Sequence, residues 1–431
     1  MSERIYGLLG RTLGHSWSVP IHAAAGNDAY RLIELEPREL PCFLSRPDIG
    51  GLNITIPYKR DVMSLCDVID PAARDIGSVN TIVRRDGKLY AWNTDIIGFL
   101  YMADLAEVDL KDRKVVILGN GGTSLTAQAA ARAAGAREIA VITRSGPDNY
   151  ETLSRHADGE IVVNTTPVGM YPSNSEAAVD LTCFPACQGV LDVVYNPRRT
   201  ALLLQAEALG LPCSDGLPML VAQAMAAEEL FFNRSIDSAE TRRILALLRQ
   251  KMENIVLIGM PGCGKSTVGA ALAELTGREA VDLDAEIIKG AVKSIPTIFA
   301  EDGEPAFRAL ERDAAARFGA KSGKIIICGG GIVKDAENYG FLRQNGRIYQ
   351  LYRAIEALPT AGRPLSQGAD LAAMAAEREP LYHRFRDVGI DNNGSAADTA
   401  AAIWRDFCAD SDSQRTEPEH AGREGTGDLR S

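Results

Sequence analysis

Short apolar runs with a strand-like bias alternate with longer stretches of helical periodicity along most of the chain. Residues 4–9, 31–35, 51–55 and 88–92 read as strands set between helices, so the first part is an α/β unit. A second unit opens at Lys114, where Val-Val-Ile-Leu runs into Gly119-Asn-Gly121-Gly122. An alanine-rich helix to about Ala134 and a strand over 138–143 complete one βαβ turn. Further strands are predicted over 160–164 and 189–195. Helices are predicted over 200–209 and 217–251, the latter broken near Ser235-Ile-Asp237.

The pattern then starts afresh. Glu253-Asn-Ile-Val-Leu-Ile is a buried strand leading into another glycine loop, and the main boundary is placed there. The expected division is a substrate unit over 1–93, completed by helices from 217–251, and a Rossmann-like nucleotide unit over 94–251. A P-loop α/β unit of the nucleoside-monophosphate-kinase type follows over 252–408. No Pro/Gly/Ser linker parts the halves, so a helix end joins them closely. After Cys408 the chain is polar and aperiodic, and 409–431 is expected to be a disordered tail.

Length and charge narrow the function. With 431 residues the chain holds two large domains or about three ordinary ones. Lys plus Arg number 46 against 57 Asp plus Glu, a net charge of −11, so the surface repels a nucleic-acid backbone and phosphate must be met at local sites. No apolar run reaches the ~18–20 residues of a membrane span, and no signal-like segment opens the chain, so no membrane partner and a cytoplasmic location are expected. The eight cysteines are dispersed without a CxxC pair and are expected to be buried thiols, with Cys183 and Cys187 on a loop. His15 and His22 lack companions at metal-ligand spacing and read as positional or packing residues.

Gly259-Met-Pro-Gly262-Cys-Gly264-Lys265-Ser266-Thr267 fits GxxxxGK[ST] between a strand and a helix. Its glycines let backbone N–H groups turn onto phosphate oxygens, Lys265 adds charge there, and the Ser266 hydroxyl suits Mg²⁺. About 155 residues run from the boundary to Cys408, enough for a small-metabolite kinase, and no NKxD marks a switch GTPase. Asp282-Leu-Asp284, Arg308, Gly329-Gly330-Gly331, Gly362-Arg363-Pro364 and Arg378-Glu-Pro-Leu-Tyr382 come next in order. Together these resemble the shikimate kinase family across nearly all of this half. The resemblance implies ATP and Mg²⁺, with Asp284 deprotonating the substrate hydroxyl, Ser266 and Asp282 serving the metal, and Arg308, Gly330 and Arg378 binding substrate. It also places Arg363 on a lid over ATP, in a segment shorter than the family's usual one.

In the first half, GxGG at Gly119, Gly121 and Gly122 lies where a dinucleotide pyrophosphate meets a helix N-terminus. Gly14-His15-Ser16-Trp17-Ser18, Asn53-Ile-Thr55-Ile-Pro57-Tyr-Lys59, Asn80-Thr81 and Asn93-Thr94-Asp95 precede it. Asn164-Thr-Thr-Pro-Val-Gly169, Tyr195-Asn-Pro197 and Asp215-Gly216 through Gln223 follow it. This series resembles the shikimate dehydrogenase family over residues 4 to about 248. Reduction of a ring ketone needs a hydride and a proton, and Lys59 with Asp95 is a charged pair suited to the proton. The resemblance makes Lys59 and Asp95 the catalytic pair and assigns Ser16, Ser18, Thr55, Asn80, Asp95, Tyr195 and Gln223 to the substrate, with Gly216 beside the cofactor. Arg144, in Thr143-Arg144-Ser145, faces a 2′-phosphate and favours NADP(H). Only sixteen residues run from Ser145 to Glu160, too few for the usual extra helix and strand. Val19 and Ala23 stand where the family commonly has proline and asparagine.

The two resemblances join chemically. A bifunctional enzyme is expected, reducing 3-dehydroshikimate with NADPH and then phosphorylating shikimate with ATP. One competing reading gives the dehydrogenase quinate and NAD(H), and another makes one half a ligand-binding module without turnover.

Overall fold

The computed structural model describes residues 4–14, 16–355 and 371–413. Three sheets order them, each started by a run of buried apolar residues. The first holds β1 (Ile5–Gly10), β2 (Tyr30–Glu34), β3 (Ile49–Ile54), β4 (Val68–Ile69), β5 (Thr81–Arg85) and β6 (Lys88–Trp92), in the order β2-β1-β3-β5-β6-β4. Strands β1, β2 and β3 pair in parallel, while β5 runs against β3 and β6. Every residue of β3 is buried, as befits a strand covered on both faces.

The second sheet is wholly parallel, in the order β11-β10-β9-β7-β8, from β7 (Lys114–Leu118), β8 (Glu138–Ile142), β9 (Ile161–Asn164), β10 (Gly189–Asp192) and β11 (Cys213–Ser214). Strand β8 is one edge, and a single 3₁₀ segment, Tyr150–His156, lies in the short run to β9. The helices fall on both faces. Gly122–Ala133 covers one face with Ala127, Ala130 and Ala131, and Ala201–Ala208 covers the other with Leu202, Leu203 and Ala206.

The long helical stretch divides into Leu217–Phe232 and Ser238–Met252. Asn233 takes the left-handed conformation that ends the first, and Asp237 caps the second. Leu217–Phe232 serves two units. Ala227 and Phe231 pack with Tyr30 and Val83 of the first sheet, and Met219 packs with Phe99 and Met102 under the second. A side chain at Gly98 would strike the Met219 carbonyl, so helix Asp95–Leu105 lies close against it.

The third sheet is parallel in the order β13-β14-β12-β15-β16, from β12 (Asn254–Ile258), β13 (Ala280–Asp282), β14 (Ile325–Ile327), β15 (Gly346–Tyr352) and β16 (Val388–Asp391). Helices Lys265–Thr276 and Ala396–Ser413 pack on one face, and Gly303–Gly319 on the other. The last helix corrects the expected tail boundary. It carries on to Ser413, because residues 409–413 include no glycine or proline to stop backbone hydrogen bonding. The remainder of that tail lies outside the described residues.

The halves meet over the amino ends of this third sheet. Glu253, just before β12 and almost fully buried, takes Arg198 at 2.6 Å and Arg199 at 3.1 Å. Arg343 pairs with Glu207, and the Arg199 N–H donates to the Gln344 carbonyl at 2.8 Å. Burial works against the charged carboxylate, yet the surrounding arginines hold Glu253 down to about 2.

All the cysteines are free, but burial is not general. Cys263 and Cys328 are buried, whereas Cys42 and Cys183 are exposed, because Leu40 and Leu44 in the one short helix and Leu181 in the other turn inward instead.

Candidate active sites

The first site forms where strand ends of two units face each other. Lys59 follows β3 and Asp95 opens the helix Asp95–Leu105, and their Nζ and Oδ2 stand 2.5 Å apart. Both border a cavity of about 290 Å³. Ser16, Ser18, Thr55, Asn80, Tyr195 and Gln223 line it too, so every substrate residue named from the sequence in this half converges there. Gly216 and Thr123 close it on the nucleotide side.

Asn80 is the hub. Its Nδ2 donates to Asp95 Oδ1 at 2.9 Å, to Thr94 Oγ1 at 3.0 Å and to Gln223 Oε1 at 3.4 Å, while its Oδ1 accepts the Thr94 N–H at 2.7 Å. Asp95 therefore has one oxygen fixed by an amide and the other free for Lys59. Behind Asn80 lies a buried chain absent from the sequence reading. Thr81 Oγ1 donates to Asn80, Asn53 Nδ2 reaches Thr81 at 3.2 Å, and Tyr30 donates to Asn53 at 2.8 Å. His22 stacks on Tyr30 and holds Glu228 at 2.6 Å, with Asn27 on the same carboxylate oxygen at 2.7 Å. Burial pushes the His22 ring below its usual pKa, against the pull of Glu228. His22 is thus part of the packing behind the site; His15 lies outside the described residues.

The glycine loop after β7 is open. A Cβ at Gly121 or Gly122 would meet nothing within 4 Å, while one at Gly119 would come within 2.9 Å of Thr166. The first two leave room for a pyrophosphate over the N-terminus of Gly122–Ala133, and Gly119 needs its positive φ of 100°. Arg144 is exposed on the turn after β8, which is drawn tight by the pairing of Thr143 with Asn149.

The second site gathers at the carboxyl ends of β12, β13 and β14. Gly259, Gly262 and Gly264 all have positive φ, and helix Lys265–Thr276 starts where the loop ends. Lys265 Nζ donates to the carbonyls of Gly259 and Met260, which holds it over the loop. Ser266 Oγ lies 3.1 Å from Asp282 Oδ2, a hydroxyl and carboxylate pair of the hard-oxygen kind that suits Mg²⁺. Thr267 is exposed beside it. A Cβ at Gly329 would stand 2.7 Å from Asp284 Oδ1, so the triple glycine lets the backbone close on that carboxylate. Burial, and then the charge of Asp282, raise the Asp284 pKa above the ordinary carboxylate value.

Arg308 meets Glu311 at 2.5 Å and Glu304 at 3.0 Å, and Arg378 donates to the Gly330 carbonyl at 3.0 Å. Tyr382 donates to that same carbonyl at 2.7 Å. Burial pushes Glu311 up to about 7 despite Arg308. Asn392, missed in the sequence, donates to the Cys263 carbonyl at 2.6 Å and clamps the loop. Arg353, also missed, lies 3.7 Å from where a Gly264 side chain would begin. Neither belongs to a recognisable motif. Arg363 lies outside the described residues.

A cavity lined by hydroxyl and amide groups with a lysine–carboxylate pair beside a dinucleotide loop, followed by a phosphate loop with a half-buried aspartate, defines an oxidoreductase fused to a phosphotransferase. Family models agree in order: shikimate dehydrogenase substrate binding domain matches residues 8–82 and shikimate kinase matches 261–408. The shikimate dehydrogenase (NADP(+)) of Clostridium beijerinckii is 33% identical over 268 residues, which span 58% of this chain and 99% of that protein. A chorismate mutase/shikimate 5-dehydrogenase fusion protein from Clostridium acetobutylicum is 34% identical, with a TM-score of 0.56 over 58% of this chain and 98% of its own. Shikimate 5-dehydrogenase from Thermus thermophilus, solved with NADP(H) and shikimate, gives 30% and 0.51 over 56% and 100%. The chain belongs to the shikimate dehydrogenase family and carries a shikimate kinase domain after it, which makes it a bifunctional enzyme of the shikimate pathway.

Proposed function

We propose that the first site reduces 3-dehydroshikimate to shikimate with NADPH and that the second phosphorylates shikimate at its 3-hydroxyl with ATP. The contact between Lys59 and Asp95 at the wall of the substrate cavity carries the reading. Lys59 donates a proton to the ketone oxygen as it becomes a hydroxyl, and takes it back in the reverse direction. Asp95, fixed by Asn80, orients that ammonium and accepts from a substrate hydroxyl. Ser16 and Ser18 hold the substrate carboxylate, and Thr55, Asn80, Tyr195 and Gln223 hold its ring oxygens. Gly119, Gly121, Gly122 and Gly216 would hold NADPH, with Arg144 on its 2′-phosphate, and the cofactor would supply the hydride.

In the second site Asp284 accepts the proton of the attacking 3-hydroxyl, its raised pKa making it the stronger base. Arg308 and Arg378 grip the substrate carboxylate beside Gly330. Lys265, with the backbone of Gly262 and Gly264, neutralises the phosphates, and the family resemblance assigns Arg363, outside the described residues, to ATP as well. Ser266 and Asp282 would hold Mg²⁺, which would supply positive charge to the phosphate oxygens. No helix among the described residues is long and apolar enough to cross a membrane, and the cytoplasm supplies both nucleotides.

The test is turnover by the purified full chain. NADPH consumption on adding 3-dehydroshikimate, then shikimate 3-phosphate on adding ATP and Mg²⁺, is the expected result. Preference for quinate and NAD⁺ over shikimate and NADP⁺ in the oxidative direction would replace the first half of the reading. Failure of either half to turn over would make it a binding module.

A further inference from the structure

A second cavity, of about 650 Å³, adjoins the dehydrogenase site and shares Ser16 and Tyr195 with it. Trp17 and Pro20 wall it from the first unit, Asn196 from the nucleotide unit, and Ser322 from the kinase half. Three units therefore meet around one opening.

The kinase segment there is firmly built. Asn254, fully buried, donates through Nδ2 to the Lys321 carbonyl at 2.7 Å and to the Gly319 carbonyl at 3.2 Å, and its Oδ1 accepts the Lys324 N–H at 2.8 Å. Asn345, also fully buried, donates to the Lys321 carbonyl at 3.0 Å. Gly323, with φ of 67°, passes so close to Lys251 that a Cβ would lie 2.6 Å from its carbonyl oxygen. Ser322 is held at the cavity by its flanking backbone rather than by chance of a loose loop.

We propose that this second cavity is the entrance through which the hydroxylated ring carboxylate reaches the dehydrogenase site, and that the kinase half completes its wall with Ser322. The proposal rests on the reading of the first site given above. Hydroxyl and amide groups of Ser16, Asn196 and Ser322 face the apolar surfaces of Trp17 and Pro20, a mixture matched to a polyol ring. No Lys, Arg, Asp or Glu stands in the wall among the described residues, so the potential along the entrance responds to a single added charge. Ser322 lies before the amino end of β14, whereas Gly329 and Asp284 lie beyond the carboxyl ends of their strands, so changes at 322 spare the kinase chemistry.

Opposite charges at this position make the test. In full-length enzyme, Ser322→Glu is expected to raise and Ser322→Lys to lower the KM for 3-dehydroshikimate, with about a fourfold difference between them at low salt that shrinks at high salt. Dehydrogenase kcat and the kinase constants should stay within about twofold of wild type, as for a surface change. Ser322→Trp should raise the same KM by narrowing the opening. A fold defect would move Glu and Lys variants in the same direction and lower kcat with them, which would overturn the proposal. Wild-type turnover with a KM that neither charge moves would overturn the entrance alone. No wild-type turnover of 3-dehydroshikimate would overturn the functional reading beneath it.

Discussion

Two sites on one chain hold similar rings with different materials. The first relies on uncharged donors and acceptors around one ion pair, joined in a buried network that reaches from Tyr30 through Asn53 and Thr81 to Asn80 and Asp95. The second relies on guanidinium groups, a phosphate loop and close backbone at Gly329 to Gly331. The difference lies in how a perturbation spreads. A network of amides and hydroxyls has few spare partners, so a distant deletion leaves buried groups unsatisfied near the catalytic pair. In the loop-built site each side chain acts mainly where it stands.

Changes at the catalytic carboxylates should divide the halves most sharply. Asp284→Asn is expected to lower kinase kcat by about 10²–10⁴ while dehydrogenase constants hold. Because burial and Asp282 raise the Asp284 pKa, the acid limb of kinase kcat/KM should fall at a higher pH than an ordinary carboxylate gives, and a pH–rate profile checks it. Next comes the junction that both halves share. Glu253→Ala leaves Arg199 with Glu207 and Arg198 with only the more distant Asp215, and should cost about 3 kcal/mol, the low end for removing one member of a buried ion pair, read by denaturant unfolding. The wild-type contribution is full above the unfolded carboxylate pKa of 4.5 and fades as pH falls toward about 2, since the folded value is depressed.

A smaller effect sharpens the contrast between the sites. Asn53→Ala leaves the buried Tyr30 hydroxyl without its acceptor and loosens Thr81 beside Asn80, and should lower dehydrogenase kcat by about tenfold with the kinase unmoved. The smallest effect is a null one. The kinase site opens beyond the carboxyl ends of its sheet and the junction covers the amino ends, with β12 alone spanning roughly 17 Å between them. Labelled shikimate added during the coupled reaction should therefore enter shikimate 3-phosphate in proportion to its share of the pool. Exclusion of the label would contradict that separation.

Strands β1, β2, β3, β6 to β10 and β12 and both glycine loops were legible because buried strands leave apolar runs and phosphate loops leave spaced glycines, whereas β5, β14, β15 and β16 were not named. The break between helices Leu217–Phe232 and Ser238–Met252 was legible in Ser235-Ile-Asp237. Short pairings were not. Strand β4, two residues long, has too little pattern to show. Asn53 reached the page inside a motif, yet its tie to Tyr30 and the pairing of His22 with Glu228, 206 positions away, depend on how three elements pack. Glu253 read as the first residue of a strand, and nothing local announced that Arg198 and Arg199 would bury it. Arg308 and Arg378 were named from their order in the chain, but only folding shows that Glu304 and Glu311 hold one and the Gly330 carbonyl the other.

The central claim is that one chain carries two separate chemistries on Lys59 with Asp95 and on Lys265 with Asp284. Its most direct test sets Lys59→Ala and Lys265→Ala beside wild type in the coupled assay, following NADPH loss and shikimate 3-phosphate. The account predicts that Lys59→Ala stops NADPH loss but still phosphorylates added shikimate, and that Lys265→Ala makes shikimate and leaves it there. Loss of both steps in either variant, with the fold intact, would contradict it.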